Sequence, residues 1–187
     1  MPASMPVALA VLLHGAGTDT GREPLPLLAD ALADAGLLAV RLDQPYVVAG
    51  RRAPAPAGQL DEVLLHVLPV LRSLAPGAPL GVVGRSSGAR VACRTAAAAG
   101  TGAIAALGFP FRPPGGVRDR TAELRTGGAA CPVLVVQGDR DPFGRPPRVR
   151  GVQTRVLAGM AHPPTAAAAL IAARWLARAL TDTSRGR

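Results

Sequence analysis

The residues of this chain best suited to chemistry are a serine, two aspartates and a histidine, each set among glycines. They lie in Gly84-Arg85-Ser86-Ser87-Gly88, in Gly138-Asp139-Arg140-Asp141-Pro142 and in Gly159-Met160-Ala161-His162. A serine hydroxyl is a poor nucleophile until a neutral imidazole accepts its proton, and a buried carboxylate can hold that imidazole in the required tautomer. His162 is the histidine placed to serve Ser86. Asp141 is favoured as the acid and Asp139 comes second, because the residue further along the loop has more room to turn toward His162. Attack on a carbonyl also develops negative charge, and a single preorganised donor to it is worth roughly 3 to 4 kcal/mol. The N–H of Ser87 supplies one donor, and the turn His14-Gly15-Ala16-Gly17 supplies another, with Ala16 the expected residue. The chain has no lysine, its 21 basic residues all being arginine. A P-loop lysine, a Schiff-base lysine and a Ser-Lys dyad are therefore excluded.

These groups need elements that carry them to one place. Apolar runs at Val7–Leu13, Leu37–Leu42, Leu80–Val83, Ala103–Leu107, Val133–Gln137 and Gln153–Leu157 predict strands. Helical spacing covers Leu25–Ala35, Gln59–Leu74, Ala89–Ala99 and Thr165–Leu180, with Pro69 predicting a kink or early break in the second of these. Alternation of this kind implies an α/β fold with a mostly parallel sheet of about six strands, covered by helices on both faces. In such sheets chemistry gathers beyond the carboxyl ends of the strands. The His14 turn, Ser86, the two aspartates and His162 each follow a predicted strand. Their order along the chain, Ser, then Asp, then His, is the triad order of α/β-hydrolases.

A length of 187 residues suits one domain, with a core over about 5–181 and a short tail at 182–187, and leaves little chain for a cap. The pocket is then expected from the loops Gln44–Gly58 and Phe109–Gly116, giving a shallow site. The formal net charge of +9 comes from scattered arginines rather than a patch, which argues against nucleic acid as a partner. No apolar run reaches the roughly 20 residues of a membrane span. Val7–Leu13 lacks the flanks of a signal peptide, so a cytoplasmic protein is expected. Cys93 and Cys131 have no metal-ligand spacing and read as buried thiols. His66 reads as a surface or half-buried helix residue and Trp175 as core. His14 reads as a structural part of its turn, with a substrate contact as its second role. Arg51, Arg52 and Arg85 are candidates to meet an acidic substrate, against a plainer reading as solvated charges.

The strings LLHGAG, GRSSGAR, GFPFRPPG, VLVVQGDRDPFG and AHPP together resemble the small dienelactone-hydrolase-like branch of the α/β-hydrolase superfamily, over nearly the whole chain. The resemblance implies a Ser86, His162, Asp141 triad, since the branch's acid-loop pattern falls on Gly138, Asp141, Pro142, Phe143 and Gly144. It also implies a serine hydrolase that cleaves an ester, lactone or thioester in a small-molecule substrate without metal or cofactor. Pro163 and Ser87 depart from the residues common at those positions. Because some relatives of this branch serve as scaffolds, a catalytically silent binding protein is the alternative. A third reading is a dinucleotide-binding domain, from Gly15, Gly17, Gly21 and Asp43, although the spacing departs from G-x-G-x-x-G. The sequence leaves the oligomeric state open.

Overall fold

The computed structural model describes residues 5–52, 54–116 and 119–182. Six strands form one parallel sheet: β1 (Ala8–Leu13), β2 (Leu37–Leu42), β3 (Leu80–Arg85), β4 (Ala103–Leu107), β5 (Val133–Gly138) and β6 (Val152–Leu157), in the order β2-β1-β3-β4-β5-β6. The order reverses direction between β1 and β3. Such a switch point opens a crevice at the carboxyl edge, and it lies here between the turn after β1 and the turn after β3.

The helices are α1 (Leu25–Asp34), α2 (Pro45–Val48), α3 (Ala57–Ser73), α4 (Ser87–Thr95), α5 (Thr121–Ala130) and α6 (Ala166–Asp182). Side chains of a strand alternate between faces, and β1 shows the consequence. Leu9, Val11 and Leu13 join Leu60, Leu64, Leu68, Val91 and Leu124 in the core under α3, α4 and α5. Ala8, Ala10 and Leu12 join Leu28, Leu32, Ala169 and Leu176 in the core under α1 and α6. Burying a leucine such as Leu64 on the first face stabilises the fold by about 2 kcal/mol. Two layers of helix thus enclose a sheet whose central strands are buried on both sides.

Three elements differ from the sequence reading. Helix α3 runs through Pro69 to Ser73 without the expected break. Pro69 itself is exposed, so its ring meets solvent rather than core. Helix α5 was not foreseen, because Gly127 and Gly128 interrupt its pattern. Those glycines are packing residues: a Cβ on Gly127 would lie 3.0 Å from Cys93 Sγ, and one on Gly128 would lie 2.5 Å from the Arg150 carbonyl. The short α2 lies inside the expected loop 44–58. Trp175 is half-buried at the rim of the α6 core rather than within it. The expected tail 182–187 lies, beyond Asp182, outside the described residues.

Ionic contacts fix α4 on its neighbours. Arg90 grips Glu123 of α5 through two bonds of 2.8 and 2.7 Å, and Arg94 grips Asp61 of α3 through two of the same lengths. Arg94 also reaches Glu123 at 3.3 Å. Burial pushes the Glu123 carboxyl up, but the hydrogen bonds and charges of Arg90, then of Arg94, outweigh it and hold the group below its ordinary range.

Candidate active site

Strand β3 passes into α4 through a bend centred on Ser86. Its φ of 49° and ψ of −107° make it the one non-glycine residue with positive φ among the described residues. Such a conformation costs of order 1–3 kcal/mol and persists only where its surroundings impose it. Those surroundings are crowded. A Cβ on Gly84 would collide with the backbone of Gly88 and Ala89, and one on Gly88 would lie 2.5 Å from the Leu13 carbonyl. The Ser86 N–H donates to Leu107 O at 2.9 Å, and its carbonyl accepts from Ala89 N–H at 3.1 Å, so the bend is tied to β4 and to the first turn of α4.

The acid and histidine loops meet this bend from the other side of β4. His162 Nε2 lies 2.8 Å from Ser86 Oγ, and His162 Nδ1 lies 3.0 and 3.2 Å from the two oxygens of Asp141. The Asp141 side chain is fully buried. A carboxylate at this distance accepts from Nδ1–H, which leaves Nε2 without a proton and able to accept one from the serine hydroxyl. Asp141 also accepts from the Phe143 N–H at 2.9 Å and from Gln137 Nε2 at 2.7 Å. The Phe143 ring lies 4.2 Å from the His162 ring, centre to centre, tilted by 40°. Asp139 faces away: it is exposed and accepts from Gly159 N–H at 2.7 Å.

The expected oxyanion donors border the same bend. The N–H groups of Ala16 and Ser87 meet no protein acceptor among the described residues. Ser87 is the first residue of α4, whose aligned peptides bring partial positive charge to that end. Gly15 lies against Ser86, where a Cβ would sit 3.4 Å from the serine Cβ.

His14 is a structural part of its turn, and its second expected role, a substrate contact, is not met. Its Nε2 accepts from Gln44 N–H at 3.0 Å, so Nδ1–H donates to Gly15 O at 2.8 Å, and the ring is fully buried. Neither nitrogen remains for a ligand. Arg85 is half-buried behind the same turn, with Nη1 3.4 Å from Thr18 Oγ1 and Nε buried without a partner. Burial lowers its pKa, and no carboxylate lies within ion-pair distance among the described residues. Arg51 and Arg52 are exposed. The dinucleotide reading fails on two points. Helix α1 begins at Leu25, too far past Gly17 for its N-terminus to receive a pyrophosphate there, and Asp43 accepts from Thr20 N–H at 2.8 Å.

A cavity of about 280 Å³ adjoins the acid loop, lined by Phe111, Arg112, Pro113, Pro142, Gly144 and Arg145 among others. Part of the expected loop 109–116 lines this cavity, but none of Ser86, Asp141 or His162 does. A larger cavity of about 780 Å³ lies along α3, beside Glu62, exposed His66 and Val67, away from Ser86. Gln137 has no role in the sequence reading, and Phe143 enters it only as a position of the acid-loop pattern; here the first touches the acid and the second both the acid and the histidine. The signal for Gln137 was a lone amide at the end of the apolar run Val133-Leu134-Val135-Val136. No three metal-ligating side chains cluster among the described residues.

A parallel α/β sheet with a strained serine bend, and a histidine and buried acid arriving on the same edge, defines the α/β serine hydrolase architecture. The chain belongs to that superfamily: residues 6–162 match the model of an Alpha/beta hydrolase domain. Among solved structures, a lidless α/β serine hydrolase of Xanthomonas campestris is 21% identical, covering 94% of this chain and 86% of the other, with a TM-score of 0.71. Dienelactone hydrolase of Anabaena variabilis is 18% identical over 91% of this chain and 85% of its own, with a TM-score of 0.70. Esterase PE8 is 21% identical over 94% of each chain, with a TM-score of 0.70. No curated protein is measurably similar in sequence. No described helix is long and apolar enough to cross a membrane.

Proposed function

We propose that this chain is a lidless serine hydrolase that cleaves an ester, lactone or thioester of a small-molecule substrate through an acyl-enzyme. The observation that carries the reading is the continuous line from Ser86 Oγ to His162 Nε2 at 2.8 Å and from His162 Nδ1 to Asp141 at 3.0 Å. His162 Nε2 takes the hydroxyl proton as Ser86 Oγ bonds to the substrate carbonyl carbon. The carbonyl oxygen becomes an oxyanion held by the N–H groups of Ser87 and Ala16. The tetrahedral adduct collapses by expelling the alcohol or thiol, which leaves with the proton from Nε2. Water then gives a proton to Nε2 and attacks the acyl carbon, and release of the acid returns the proton to Ser86. Asp141 stabilises the imidazolium formed twice in this cycle.

Arg85, with no carboxylate partner, is the arginine we assign to an acidic group of the substrate. A cytoplasmic setting is consistent with two free buried cysteines. The experiment is hydrolysis of short p-nitrophenyl esters by wild type and Ser86→Ala. Wild type should release a burst of nitrophenolate equal to the enzyme concentration, followed by steady turnover, while Ser86→Ala, still folded, should show neither. Equal hydrolysis by the two proteins would overturn the reading. A folded wild type that hydrolyses nothing would favour the silent scaffold.

A further inference from the structure

We infer that Gln137 is a positioning residue for the acid, donating through Nε2 to Asp141 so that the carboxylate stays aimed at His162. The inference rests on the serine hydrolase reading and assigns a further residue to it. On β5, Val133 and Val135 point into the core under α4 and α5, and Gln137 continues that row. The position is wholly buried, with 0% exposure, where an apolar side chain would pack at no polar cost.

The amide is poorly provided for as a structural element. Nε2 donates to Asp141 Oδ2 at 2.7 Å and to Gly144 O at 2.9 Å, but Oε1 is buried with no partner. Leaving a buried acceptor unmade is costly. The reverse orientation would set Oε1 against two other oxygens, so the donor must face the acid. What the amide adds over an apolar residue is therefore a strong, charge-assisted bond to the carboxylate that holds His162. The Phe143 N–H takes the other Asp141 oxygen at 2.9 Å, and together the two donors fix the plane of the carboxylate.

The test is a double-mutant cycle on the rate of covalent labelling by a fluorophosphonate, using wild type, Gln137→Met, Asp141→Asn and the double variant. Met fills the space without a donor, and Gln137→Leu is the second apolar variant if Gln137→Met folds poorly. By analogy with outer-shell partners of ligating groups, Gln137→Met should label about tenfold or more slowly than wild type. In the Asp141→Asn background the same change should cost about twofold or less, because the group it acts through is gone. Labelling of Gln137→Met at the wild-type rate would overturn the inference. So would an equal loss in both backgrounds, or failure of both apolar variants to fold, since each points to a purely structural amide. Wild type that does not label at all would defeat the serine hydrolase reading and this inference with it, whereas labelled wild type with insensitive variants defeats this inference alone.

Discussion

The backbone of Gly138 runs so close beneath the carbonyl of Met160 that a Cβ on Gly138 would collide with it. Two hydrogen bonds cross at the same place, Asp139 N–H to Leu157 O and Arg140 N–H to Met160 O, both 3.1 Å. The loop that carries Asp141 and the loop that carries His162 are thereby set against each other by main chain, before their side chains meet.

That contact predicts the outcome of Gly138→Ala. The added methyl must push the two loops apart, which costs about 1–3 kcal/mol of stability as an overpacked site. It also lengthens the distance from Asp141 to His162. Phosphonate labelling should slow by more than tenfold at a temperature where the variant remains folded. Thermal melts together with labelling rates check both halves.

The two aspartates of the acid loop should separate cleanly. Asp141→Asn places an amide against His162 Nδ1 and favours the wrong tautomer, a change that costs about 10⁴-fold in turnover where a triad of this kind has been altered. Asp139→Asn keeps an oxygen able to accept from Gly159 N–H and should stay within about threefold of wild type, as an exposed substitution. Ester turnover of the two variants decides the point, and a reversed order would reassign the acid.

Stability should fall on acidification partly through Glu123. Its folded pKa is held below the ordinary value of 4.5, so its contribution is complete above that value and is lost as pH falls through the lower folded value. Urea melts of wild type and Glu123→Gln should therefore differ most above about pH 5 and draw together as the pH falls below 4.5.

Neither cysteine should react in the native protein. Burial, with smaller contributions from Glu123 and Cys131 and against the pull of Arg94, pushes the Cys93 thiol up to about 12. Burial pushes Cys131 up to about 11. Thiolate is the reactive form and is almost absent at pH 8. A disulfide reagent at that pH should find no thiol in folded protein and two after denaturation.

Much of this arrangement can be read from residue order. Strands Leu37–Leu42 and Ala103–Leu107 are apolar runs bounded by glycine or aspartate, and their ends agree with the fold. The serine bend is legible because only glycine can stand at 84 and 88 beside so tight a turn. Other features depend on contacts between distant segments. Helix α5 hides behind Gly127 and Gly128, whose lack of side chains is required by Cys93 and Arg150, far away in sequence. Pro69 signals a kink or break locally, yet α3 continues past it to Ser73. His14 reads as part of its turn from the sequence, but that Gln44, thirty residues on, occupies its second nitrogen is visible only in the fold. Gln137 is visible as an anomaly in an apolar strand, but its meaning appears only when Asp141 turns back onto it.

Intact-mass spectrometry after incubation with a fluorophosphonate decides, without knowledge of the substrate, whether Ser86 is an activated nucleophile. Wild type should gain the mass of a single phosphonyl group, and Ser86→Ala should gain none. A folded wild type that remains unmodified, or a Ser86→Ala protein that takes up the same adduct, would contradict that role.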